Sequence, residues 1–160
     1  MPIRLATDAR GAMLRAAVEE AHRRGARHLG TDHLLLGLLS EPGGVGERAM
    51  GVSLEEARQA LVLSDAHALE TIGVDPRLAP TDPSSSGGRH LPLSSGARAA
   101  MVRAVTEAKA HGENVISTRC LLAAVLAAEP PDAAAELVRF MQLDVPAIHL
   151  ALRQTGKGLD

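Results

Sequence analysis

Along most of this chain apolar residues recur three and four positions apart, the spacing that puts them on one face of a helix. Met13, Ala17, Val18 and Ala21 form the first such stripe, with Thr7 or Asp8 ahead of it as a cap. Gly25 ends it, since glycine takes up the left-handed conformation of a helix C-terminus without strain. Thr31 is placed to cap the next helix, which starts Asp32-His33-Leu34-Leu35-Leu36, and Asp32 complements its dipole. Glu41-Pro42-Gly43-Gly44 breaks that helix, and a short one from Val45 to Met50 follows, closed by Gly51. Ser53 with Glu56 three positions on makes a capping box for a fourth helix running to about Ala68.

A second series starts at Leu93-Ser94. Its first helix spans Ser95 to His111; ENVIS leads into a second helix from Thr118 to Ala128. Pro130-Pro131 breaks the chain, the second proline suiting the first turn of a third helix, DAAAELVRFMQ. Asp144 caps the last helix. The two series are copies of one unit. Val18 stands over Val105, Glu20 over Glu107, Gly25 over Gly112, Thr31 over Thr118 and Leu34-Leu35 over Leu121-Leu122, without a gap. The expected organisation is a first repeat over 1–72, a Pro/Gly/Ser-rich, exposed and mobile linker over 73–92, a second repeat over 93–154 and a polar tail over 155–160. Units of about 60 residues are marginal alone. The two repeats are therefore expected to form one all-α domain of about eight helices, packed with pseudo-twofold symmetry around a shared seam.

Composition supports this. Hydrophobic residues make up 46% of the chain but aromatics only 1%, so the core is Ala, Leu and Val, which suit closely spaced helices. A formal net charge of -2 gives no field for a phosphate backbone, so no nucleic-acid partner is expected. One cysteine, Cys120, cannot form an internal disulfide, which fits a reducing cytosol. The start, MPIRLATDARG, lacks the apolar core of a signal peptide, and no apolar run nears the roughly 20 residues that span a bilayer. A cytoplasmic location without membrane contact follows as an expectation.

GARHLGTDHLLLGLLSEPGGVGERAM, followed by GVSLEEARQAL, is very similar to the first repeat of the N-terminal domain of Clp-type protein-unfolding ATPases, of the ClpC and ClpA type. HLPLSSGAR resembles the stretch that precedes that domain's second repeat, so the resemblance runs from about Leu5 to Leu152. It implies a non-enzymatic module that binds protein substrates, adaptors or degradation tags for an attached unfoldase, with no cofactor. No G-x-x-x-x-G-K-[ST] phosphate loop is present, so this stretch carries no P-loop ATPase. An excised ATPase domain and a stand-alone homologue both fit; the ordinary Met1 start and the degraded second copy favour the stand-alone form, which would bind or sequester Clp N-domain ligands such as degradation-tagged proteins or cyclic peptides.

The resemblance also implies site residues. In ClpC domains the acidic residue after Gly-Thr in each repeat contacts phosphorylated arginine on tagged substrates. Here the first is Asp32 and the second is Arg119, a reversal that repels a guanidinium and attracts a phosphate. Phenylalanines that receive cyclic peptides in ClpC correspond to Pro2 or Ile3 and to Leu93. The candidate ligand-binding set is therefore Ile3, Leu5, Thr31, Asp32, Leu93, Ser94, Thr118 and Arg119, with Asp32 at an exposed helix N-terminus.

Other patterns read as structural. The seven histidines lack the clustered thiols or carboxylates of a metal site, and no metal is expected. Cys120 has no recognisable base motif and reads as a core thiol. Glu19-Glu20 reads as a solvated face with Arg23 and Arg24. A helical DNA-binding regulator is the alternative reading, and it lacks a convincing basic recognition helix at Arg98-Arg103 or Arg23-Arg24-Arg27.

Overall fold

Gly25 and Gly112 both adopt left-handed backbone, with φ of 65° and 70°, and each closes the first helix of a repeat. Around this shared punctuation the computed structural model describes residues 4–5, 9–78 and 91–155. Among them are eight α-helices: α1 (Ala9–Arg23), α2 (Thr31–Leu38), α3 (Val45–Met50), α4 (Leu54–Thr71), α5 (Ser95–Ala110), α6 (Thr118–Leu126), α7 (Ala133–Phe140) and α8 (Val145–Thr155). Two short strands, β1 (Arg4–Leu5) and β2 (Val115–Ile116), pair in parallel. The fold is all-α, built on the two-repeat pattern.

The second helix of each repeat is the centre. Leu34, Leu35, Leu36 and Leu39 at α2, and Leu121, Leu122 and Val125 at α6, are almost wholly withdrawn from water. The repeats do not stand side by side as separate units. α2 packs on α7 and α3 on α6, while α4 leans on α7 and α8 on α3, so each repeat's later helices cover the other's centre. The backbone crosses in the same way. Leu5 pairs with Ile116, and at the equivalent place Leu29 bridges Leu93, with Leu29 N donating to Pro92 O at 2.9 Å and Ser94 N to Leu29 O at 3.0 Å. This mutual exchange is the pseudo-twofold relation, and it lets two marginal units share one core.

Several local expectations need correction. Gly30, not Thr31, is the cap residue of α2, and Thr31 is its first helical residue. α4 runs on to Thr71, because nothing breaks it before Gly73 turns left-handed with φ of 79°. α6 ends at Leu126 rather than Ala128. Pro131 precedes α7 instead of entering its first turn, since Asp132 takes the cap by accepting from Ala134 N and Ala135 N. Leu91, near the end of the expected linker, and Leu93, the first residue of the expected second repeat, are half-buried against the core. The candidate caps Thr7 and Asp8, residues 79–90 of the linker and 156–160 of the tail lie outside the described residues.

Candidate functional site

Thr31 and Asp32, singled out as ligand contacts in the first repeat, are turned inward. Thr31 is only 2% exposed. Its hydroxyl donates to Asp132 Oδ1 at 2.8 Å and accepts from Ala134 N at 3.1 Å, so it helps to cap α7 of the second repeat. Asp32 is buried, which overturns the expected exposed helix start. Its carboxylate folds back over Gly30, where any Cβ would lie 2.5 Å from Oδ1. His33 is buried beside it, and its Nδ1 accepts from Gly30 N at 3.0 Å. Burial lowers the His33 pKa against the opposing pull of Asp32. A neutral His33 makes the 3.5 Å approach of Asp32 Oδ1 to Nδ1 a contact rather than an ion pair. Leu93 and Ser94 belong to the same corner. Leu93 packs on the core, and Ser94 Oγ caps α5 by accepting from Ala97 N at 3.1 Å.

Glu20 is buried as well, which corrects its reading as part of a solvated face. It pairs with Arg58 of α4, whose Nε donates to Glu20 Oε1 at 3.0 Å, and that hydrogen bond raises the Arg58 pKa. Arg24, the expected neighbour, pairs instead with Asp65 of α4. Two ion pairs thus tie α1 and the residue that follows it to α4.

The second repeat differs at the equivalent place. With the helix caps Ser53 and Asp144 superimposed, His149 of α8 stands where Arg58 does, and Glu107 stands where Glu20 does. His149 makes no hydrogen bond to Glu107 among the described residues; burial and the nearby Arg153 hold its pKa below the usual value, with Glu107 opposing. Between α5, α6 and α8 lies a cleft of about 400 Å³, with Arg103, Arg119, His149 and Arg153 on its walls and Ala123 and Leu152 among its apolar lining. Arg119 Nη2 reaches Glu113 at 2.9 Å, and Arg103 Nε donates to Ala124 O at 3.1 Å. Cys120 is 2% exposed, with Sγ 3.7 Å from Glu113 Oε2. Thr118 faces another cleft, shared with Ala12, Ser40 and Pro42. Leu5 is placed beside Ile116 by its strand, while Ile3 lies outside the described residues. The seven described candidates therefore belong to two separate corners: Leu93 and Ser94 with Thr31 and Asp32, and Leu5 with Thr118 and Arg119 at the start of α6.

No group of three or more His, Cys, Asp or Glu among the described residues is placed to hold a metal ion, and none of their helices is long and apolar enough to cross a membrane.

The family model of the Clp repeat N-terminal domain matches residues 6–140. The chain belongs to that family. Solved Clp N-domains and their kin share the fold at low identity. The N-terminal domain of the chaperone ClpD from Arabidopsis thaliana superposes with a TM-score of 0.71 at 18% identity, covering 99% of this chain and 98% of that one. The Hsp104 N-terminal domain from Candida albicans gives 0.60 at 14% identity, covering 97% and 93%. A chain from a malarial protein secretion system gives 0.62 at 17% identity, covering 93% and 92%. No curated protein sequence matches significantly.

In Clp unfoldases the Clp N-domain is a non-catalytic module that binds substrates and adaptors. In this Clp N-domain the cleft residues that sequence reasoning did not offer as ligand contacts are Arg103, weighed only for a DNA-recognition helix, and His149 and Arg153, in a helix read simply as amphipathic. Only superposing the last helices of the repeats by their caps sets His149 against Arg58.

Proposed function

We propose that this chain is a non-enzymatic polypeptide-binding module that recognises protein substrates, adaptors or peptide-like ligands of a Clp ATPase. As a separate cytoplasmic chain it would hold such ligands away from the ATPase or present them to it, without a cofactor. The observation that supports this reading is the retention of the family fold over residues 6–140 with an open, arginine-lined cleft in one repeat and a closed, ion-paired seam in the other. Of the described candidate contacts, Thr118 and Arg119 of the second repeat line clefts, and we assign the contact surface to the cleft that holds Arg119. Thr31 and Asp32 serve the fold. A pull-down with calorimetry against permanently unfolded proteins, arginine-phosphorylated proteins and ClpC-binding cyclic peptides tests it. Saturable binding of at least one class by folded protein is expected; none from any class would sink the idea.

A further inference from the structure

The cleft between α5, α6 and α8 has a chemistry of its own. Arg103 and Arg119 each keep part of the guanidinium fork free after their bonds to Ala124 O and Glu113. The Arg153 side chain is exposed and makes no hydrogen bond or ion pair among the described residues. An arginine fork matches a carboxylate in shape as well as charge. Glu107 and Glu113 stand close by, so the excess positive charge is small. That balance suits a singly charged oxyanion better than a doubly charged phosphoryl group, which two neighbouring carboxylates would repel.

An apolar groove of about 500 Å³ continues the cleft, sharing Ala127 and His149 with it, and is walled by Leu126, Val138, Leu143 and Val145. A cationic end joined to an apolar trough fits an extended segment that carries an acidic group followed by an aliphatic side chain. Among the described residues the first repeat has no such cationic wall at the equivalent place. There Ala16 stands for Arg103 and Asp32 for Arg119, and Arg58 is consumed by Glu20.

We propose that this cleft binds a carboxylate-bearing polypeptide segment, its carboxylate among Arg103, Arg119 and Arg153 and its aliphatic neighbour in the groove between α6, α7 and α8. The inference rests on the polypeptide-binding reading above and names the chemistry of its ligand.

The test uses the whole chain and fluorescence anisotropy with labelled peptides of alternating leucine. One peptide carries glutamates and an amidated end, one carries glutamines and a free C-terminal carboxylate, one carries glutamines and an amidated end, and one carries a phosphoserine. Arg153→Gln is the principal variant because Arg153 has no structural bond to lose; exposed Arg15→Gln on α1 is the control. A carboxylate peptide should bind, with affinity falling as salt rises, and Arg153→Gln should weaken it by about tenfold while Arg15→Gln leaves it unchanged. The glutamate and free-terminus arms tell a side-chain carboxylate from a chain end. Equal binding of the uncharged peptide, tighter binding of the phosphoserine peptide, or no effect of Arg153→Gln would overturn the proposal. If unfolded proteins bind while every carboxylate peptide fails, the module reading stands and this ligand is wrong; if no polypeptide binds at all, both fall.

Discussion

Thr31 of the first repeat and Asp132 of the second are hydrogen-bonded at 2.8 Å across the seam between the two copies. The same hydroxyl accepts from Ala134 N, so one side chain from α2 completes the cap of α7. Thr31→Val keeps the shape and removes both bonds. It should cost about 1–2 kcal/mol in urea unfolding, and a double-mutant cycle with Asp132→Ala should show coupling above about 0.5 kcal/mol. Additive effects would mean that the contact carries no energy.

Gly96 touches the same junction. A Cβ there would lie 2.6 Å from Asp132 Oδ2 and 3.5 Å from Thr31 Cγ2. Alanine ordinarily stabilises a helix over glycine, by about 1 kcal/mol in the interior and by less at the second position of α5, where Gly96 stands. Gly96→Ala is expected to lose that gain and destabilise, because Asp132 is held by its bonds to the α7 amides and cannot swing away freely. Thermal melting of the variant checks the sign.

The Glu20–Arg58 pair predicts a difference between the repeats. Glu20→Ala leaves the partly exposed Arg58 guanidinium only its longer contact with Glu55, at 3.4 Å, and should cost about 1 kcal/mol in chemical denaturation. Its counterpart Glu107 is exposed and, among the described residues, its one ion pair is with His111, at 3.3 Å, so Glu107→Ala should change stability by less than about 0.5 kcal/mol.

His33 sets a pH dependence. Its folded pKa lies below its ordinary value, so in the window between the two the unfolded chain binds more protons than the folded one. Stability is then full above about pH 6.5 and declines as pH falls through the lowered value. His149 is shifted in the same direction and adds to the slope. His33→Gln should flatten the loss of stability between about pH 7 and pH 5 when urea midpoints are compared.

The fold was largely legible in the sequence because its signals are local. Gly25, Gly112, Gly51 and the Ser53–Glu56 capping box mark helix ends through their own backbone and side-chain chemistry. The candidate site was less legible because burial is decided by partners far along the chain. Thr31 looked like the cap of its own helix, yet Asp132, remote in sequence, claimed its hydroxyl. Asp32 looked exposed by its place at a helix start, but Gly30 lets its carboxylate fold inward. Glu20 read as solvated beside Arg23 and Arg24, and only the packing of α4 brings Arg58 to it. Thr31, Asp32 and His33 of the first repeat are buried, whereas Arg119, the counterpart of Asp32, lines a cleft.

The most direct test of this account is to map backbone amide shifts by NMR while a permanently unfolded protein is titrated into the full chain. Perturbations are predicted to gather on α5, α6 and α8 around Arg103, Arg119, His149 and Arg153, leaving Thr31 and Asp32 unmoved. Shifts centred instead on Thr31 and Asp32 would contradict it.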